Sequence, residues 1–231
     1  MRTDKVILRT PIPAGMRSVA PRTGAEFGFA AVLVWFALYA VAALSTPGYS
    51  ITGNRLSDLG HPNAGAPWAF NTACILAGLF LLPYVWALGT GLSRMVRFVG
   101  TWMLTLDALF VIGVGAFPEE SPYNLHFIFS ALFFLLLMMA ISHYAVAMYR
   151  SPRYGKVSGI LSVVASGLAL LFVVAVLVEL VGGAPIAGGT ISNFLEHATV
   201  FASLAWAAWN GIRLHVMMGR SGWNAAGATR A

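Results

Sequence analysis

Residues 157–181 read VSGILSVVASGLALLFVVAVLVELV, with Glu179 as the sole charge. A helix needs about 20 apolar residues to cross the hydrocarbon core of a bilayer. In lipid, the backbone of such a run can satisfy its polar groups only within a helix. The stretch therefore predicts a transmembrane span. Five more runs of similar length and composition lie around it, at 26–46, 68–91, 98–117, 124–149 and 192–214. Turn chemistry separates them: Pro47-Gly48, the segment from Pro62 to Pro67, Pro118, Pro152 and Gly182-Gly183. Ser121-Pro122 is expected to open the fourth helix as an N-cap and first-turn pair. The fold class predicted is all-α, a polytopic bundle of six transmembrane helices over 26–214, with short tails at 1–25 and 215–231.

Composition leaves little else. Of the 231 residues, 58% are hydrophobic and 10% are charged, where a soluble domain carries about 25% charged residues. The mean hydropathy is +0.78. No stretch is left over for a soluble domain of ordinary size. The one cysteine, Cys74, lies inside an apolar run, so no intrachain disulfide forms, and its default role is that of a small packing residue.

The net charge of +6 does not point to nucleic acid, because the basic residues form no single patch. They occupy alternate connections instead. Arg2, Lys5, Arg9, Arg17 and Arg22 precede the first span; Arg94 and Arg97 lie before the third; Arg150, Arg153 and Lys156 follow the fourth; Arg213, Arg220 and Arg230 end the chain. Only Arg55 falls on the other side. Lys and Arg are retained in the cytoplasm, so both termini are expected there, in what is expected to be a prokaryotic plasma membrane. Cleavage near Ala43-Leu44-Ser45 as a signal peptide is the rival reading, but the preceding apolar run exceeds the ~7–15 residues of a signal core.

This topology gives every ionisable group a depth. Asn54, Ser57, Asp58 and His61 fall in the first outer loop, and Glu119 and Glu120 in the second, with His126 just inside the fourth helix. Glu179 ends the fifth helix, and Asn193, Glu196 and His197 open the sixth. The last three, at i, i+3 and i+4, share one helical face; His126 and Ser130 do so on the fourth. If the two faces meet, they line an outward cavity. Asp107 lies about 15 Å below the outer end of its helix at 1.5 Å per residue, near the midplane, where a carboxyl is expensive and faces the bundle interior or a water-filled cavity.

Imidazole and carboxylate together suit a divalent metal such as zinc, and His61, His126 and His197 are the candidate ligands. Each feature also has a plainer reading. Asn193 and Glu196 match a capping box, Glu119-Glu120 a solvated turn, the histidines simple interfacial hydrogen bonding. Small residues at Gly155 and Gly159, at Ser158, Ser162 and Ser166, and at Ala198 and Ala202 are packing stripes. Haem would use His126 with His143 and His197 with His215. At about 100° per residue, however, the first pair is out of phase by about 100°, and His215 lies beyond Arg213. No phosphate loop, His-Glu-x-x-His, Gly-x-Ser-x-Gly or Cys-x-x-Cys is present. Only Pro83 interrupts a span, which gives a transporter little support.

Several short motifs together resemble one family. Ser57-Asp58-Leu59-Gly60, Asn71, the run Gly113-x-Gly115-x-Phe117-Pro118-Glu119 and His126 look like the domain-of-unknown-function 998 family of six-helix prokaryotic membrane proteins, over roughly 28–214. The resemblance implies the fold and supplies no reaction. The family's acid after Phe-Pro is often Asp; here Glu119 and Glu120 both follow, which leaves open which of them fills the position. The leading expectation is a binding protein whose outward cavity, with Asn71 and Asp107 among its polar residues, takes a lipid headgroup or small polar ligand. The alternatives are a metal-dependent hydrolase acting on lipid at the outer leaflet, with Asp58 or Glu196 completing the ligand set and Glu119 as general base, and a haem electron carrier. Membrane lipids are the expected partners, and the oligomeric state is left open.

Overall fold

A computed structural model describes residues 19–220. Among these residues the chain is helical, with no strand, and six long helices set its architecture: α1 Pro21–Ser45, α2 Pro67–Ala87, α3 Arg94–Ala116, α4 Leu125–Arg150, α5 Gly155–Gly182 and α6 Thr190–Arg220. Each packs on its neighbours in the chain, and α6 returns to α1, so the six close into a ring. Side chains such as Leu33, Val146, Val163 and Leu171 point outward and are exposed, as lipid-facing residues do.

Five of these helices, α1 to α5, are long and apolar enough to cross a membrane. α6 falls short of that composition because it carries Asn193, Glu196, His197 and Asn210, all buried. Its polarity is turned into the bundle.

The helix ends differ from expectation in instructive ways. α1 starts at Pro21, with Gly24 and Ala25 already buried; a side chain on Gly24 would collide with Ala87. The expected tail at 1–25 therefore gives up its last turn to the bundle, where Arg22 pairs with Glu26 at 3.0 Å, while residues 1–18 lie outside the described region. At the other end α6 runs through His215 to Arg220, and residues 221–231 lie outside. Ser121-Pro122 does not open α4. Pro122–Asn124 form a separate short turn, with Tyr123 and Asn124 in the left-handed region, and α4 starts at Leu125 without a side-chain cap. Pro83 sits inside α2 without ending it.

Close approach between helices follows the small residues. Ser158 and Ser162 of α5 are fully buried, and their hydroxyls accept the indole N–H groups of Trp209 at 3.1 Å and Trp206 at 2.7 Å. The serine stripe is thus a docking strip for the tryptophans of α6.

Candidate functional site

The loops α1–α2, α3–α4 and α5–α6 meet at one end of the ring, which is rich in acids; the connections carrying Arg94, Arg97, Arg150, Arg153 and Lys156 form the other. The α1–α2 loop is held by one face of α6. Asn193 Nδ2 donates to the carbonyl of Thr52 at 3.2 Å, Glu196 Oε2 accepts the backbone N–H of Leu56 at 3.1 Å, and His197 Nε2 bonds the Tyr49 hydroxyl. The shared face expected of these three residues is real, but its main partner is a loop rather than α4. The capping-box reading fails because α6 begins at Thr190, placing Asn193 inside the helix. His197 Nδ1 lies 2.7 Å from the carbonyl of Asn193, an obligate acceptor, so Nδ1 carries the proton and Nε2 accepts from Tyr49. Burial, with Tyr39 beside it, pushes the Tyr49 phenol above its ordinary range, which keeps that donor protonated.

Within the same loop the carboxylate of Asp58 accepts the N–H of Arg55 at 3.0 Å and the amide of Asn54 at 3.4 Å. It shapes the turn Ser57–Gly60. Asn71 donates to the carbonyl of Gly60 at 3.2 Å, and a side chain at Gly60 would meet the Asn71 amide at 2.5 Å. Ser57-Asp58-Leu59-Gly60 and Asn71 are therefore one structural unit fastening the loop to α2.

The glycine motif of α3 works in the same way. A Cβ at Gly115 would lie 2.3 Å from the backbone oxygen of Asn71, and one at Gly113 would lie 2.2 Å from the Phe129 ring. Phe117 then stacks on Phe129, with centroids 5.2 Å apart and planes 6° from parallel. Its carbonyl accepts from His126 Nδ1 at 2.9 Å. That bond engages Nδ1, and Nε2 is buried without a partner.

Two adjoining spaces lie beneath this end. A pocket of about 290 Å³ is lined at its mouth by Arg55, Glu119, Glu120, Asn124, His126 and Glu196, and deeper by apolar residues of α4 and α5: Phe127, Ala131, Phe134, Phe172, Val176 and Leu180. Phe127 and Leu180 are also exposed at the bundle surface, so the apolar part opens sideways between the two helices. Ser57, Ser130, Phe134 and Glu196 line this pocket and also a central cavity of about 90 Å³, where Asp107 lies buried with Oδ1 unpartnered. α1, α2, α3, α4 and α6 all contribute walls to the central cavity.

The remaining candidates are distributed around the pocket. Glu179 bridges Arg55 at 3.2 Å and the N–H of Ile186 at 3.1 Å, tying α5 to both neighbouring loops. Glu120 pairs with His61 at 3.2 Å, and its backbone is left-handed, a conformation of some cost for a non-glycine residue. The three-histidine metal set is not assembled. His61 holds Glu120 and accepts from the N–H of Asn63, both nitrogens of His197 are engaged, and no three His, Cys, Asp or Glu side chains among the described residues are grouped to hold an ion. The haem pairs fit no better, since His143 Nε2 lies against the carbonyl of Val96 and His215 is exposed. The α4–α5 slot and the Arg55–Glu179 pair were not foreseen. The first leaves no motif, only apolar residues like those of any span.

Comparison with known proteins gives one family. A family model described as "Protein of unknown function (DUF998)" matches residues 29–213. No curated protein and no solved structure matches. The match covers well over half of the chain, including every motif that builds the acidic end, and the chain belongs to the DUF998 family.

Proposed function

We propose that this protein is a plasma-membrane protein that binds an amphiphile, a lipid or lipid-like molecule, at its acidic end, with the headgroup in the polar mouth and the hydrocarbon chain in the slot between α4 and α5. One observation carries this reading: a single pocket is lined both by Glu119, Glu120 and His126 and by Phe127, Ala131, Phe172 and Val176, and Phe127 and Leu180 at its apolar side are exposed at the bundle surface. A water-soluble ligand has no use for such a slot. Burying a chain there is worth about 0.8 kcal/mol per CH₂, though in a bilayer much of that is already supplied by lipid, so selectivity falls to the mouth.

In the same reading α6 is a sixth span and both termini are cytoplasmic. Basic residues at one end of the ring support this orientation, which puts the mouth at the outer surface. α6 can cross despite its polar residues because they are buried in the bundle rather than facing lipid, with Asn193, Glu196 and His197 bonded to the first loop.

The test is mass spectrometry of lipids extracted from protein purified in mild detergent, with Ala131→Trp as the comparison, since Ala131 lines the slot and an indole there occupies it. A bound amphiphile that the wild type retains and the variant loses is the expected result. Equal retention by both, or none by the wild type, contradicts the reading.

A further inference from the structure

The carboxyl of Asp107 has no partner among the described residues. It lies deep in α3 and is 4% exposed. Oδ1 is enclosed with nothing to bond, Oδ2 is not enclosed, and the residue lines the central cavity of about 90 Å³. No ion pair among the described residues includes it. The group is unmet in either protonation state, since the acid lacks an acceptor for its O–H and the anion lacks a cation. A carboxyl left so inside a membrane bundle costs stability, and its retention points to a use.

The walls narrow what that use can be. Trp35, Phe70, Leu104, Val111, Phe133 and Leu204 make most of the lining apolar, and no Lys, Arg or His contributes to it. The other carboxyl there, Glu196, is already held by the N–H of Leu56. Ser57 and Ser130 add hydroxyls on the side that adjoins the pocket at the acidic end, which marks the way in.

An anion would face Asp107 with no cation to balance it. Water bonds the carboxyl but brings no counter-charge and no hydrocarbon for the walls. A divalent metal lacks ligands, because no three His, Cys, Asp or Glu side chains among the described residues converge. A quaternary ammonium has the charge but no N–H. A protonated aliphatic amine supplies the charge, the N–H and the hydrocarbon together. The volume is well below the ~150 Å³ of a cavity that takes benzene, which limits such an amine to about four heavy atoms.

We propose that the central cavity is a binding site for a small aliphatic ammonium ion, paired with Asp107. This site is separate from the amphiphile slot, and neither depends on the other.

Saturation-transfer NMR on the full-length protein in detergent, titrated with n-propylammonium and with its neutral counterpart 1-propanol, gives the dissociation constant of each. Propylammonium is expected to bind more tightly than propanol by about ten-fold, equivalent to ~1.4 kcal/mol. Asp107→Asn keeps the shape of the side chain and should abolish that preference while propanol binding stays as it was. Glu119→Gln/Glu120→Gln should leave both affinities unchanged. Equal affinity of the wild type for the two probes, or no binding of either, overturns the proposal without recourse to a variant. A preference that survives Asp107→Asn, or that disappears with Glu119 and Glu120, overturns it as well, the latter by placing the cation at the mouth. Lipid retention does not enter this readout, so each of these failures leaves the amphiphile slot standing.

Discussion

The carbonyl oxygen of Phe117 accepts the Nδ1 proton of His126 at 2.9 Å. The residue that caps α3 thereby anchors the ring of an α4 histidine. Gly113 and Gly115 clear the space for this arrangement, one for the Phe129 ring on which Phe117 stacks and the other for the backbone of α2. A packing motif and the anchoring of the His126 ring are thus one construction.

Substitution of these glycines tests that construction. Gly115→Ala places a methyl group against the Asn71 carbonyl oxygen, backbone that cannot step aside, whereas Gly113→Ala meets a ring that can tilt. Overpacking costs about 1–3 kcal/mol, with Gly115→Ala expected at the upper end and Gly113→Ala below it. Thermal unfolding in detergent measures both. Unchanged stability in Gly115→Ala would show that α2 and α3 are not held this closely.

Tyr49→Phe leaves His197 Nε2 without its donor. The expected cost is about 1–3 kcal/mol, concentrated in the loop that α6 anchors. Hydrogen exchange should accelerate across 46–66 and stay unchanged in α3. Uniform acceleration throughout the bundle would instead mark a global loss of stability.

Asp107 bears on what the central cavity is for. Its Oδ1 is buried with no partner, so with no ligand at the carboxyl, Asp107→Leu removes an unmet polar group, and the adjoining cavity of about 90 Å³ takes up the added bulk. We expect the variant to be at least as stable as the wild type, by up to about 2 kcal/mol, with lipid retention intact. Loss of bound lipid would move the headgroup site inward to this residue.

Orientation can be read with cysteine chemistry, because the native Cys74 is buried. Tyr123 in the α3–α4 connection is 89% exposed, and Lys156 lies exposed near the opposite end. In intact cells a membrane-impermeant maleimide should label Tyr123→Cys and spare Lys156→Cys until the membrane is opened. The reverse pattern would invert the protein and place the mouth in the cytosol.

Much of the fold is legible in the sequence because the bilayer demands long apolar helices, and the run at 157–181 meets that demand almost without interruption. The ends of α1 and α4 are less so. Gly24 and Ala25 are buried by a contact with α2 that composition does not encode, and the turn before Leu125 places Tyr123 and Asn124 in left-handed backbone that no glycine announces. The site divides in the same way. Helical periodicity puts Asn193, Glu196 and His197 on one face, which holds, while their partner depends on where the loop 46–66 folds back. Periodicity along one helix says nothing of that.

The amphiphile slot is most directly tested by photocrosslinking with a phosphatidylethanolamine that carries a diazirine on its acyl chain, the adducts being mapped by peptide sequencing. Binding at the acidic end predicts adducts concentrated on Phe127–Phe134 and Phe172–Leu180 and suppressed by Ala131→Trp. Adducts spread evenly over lipid-facing residues such as Leu33, Val146 and Val163, unaffected by that substitution, would contradict it.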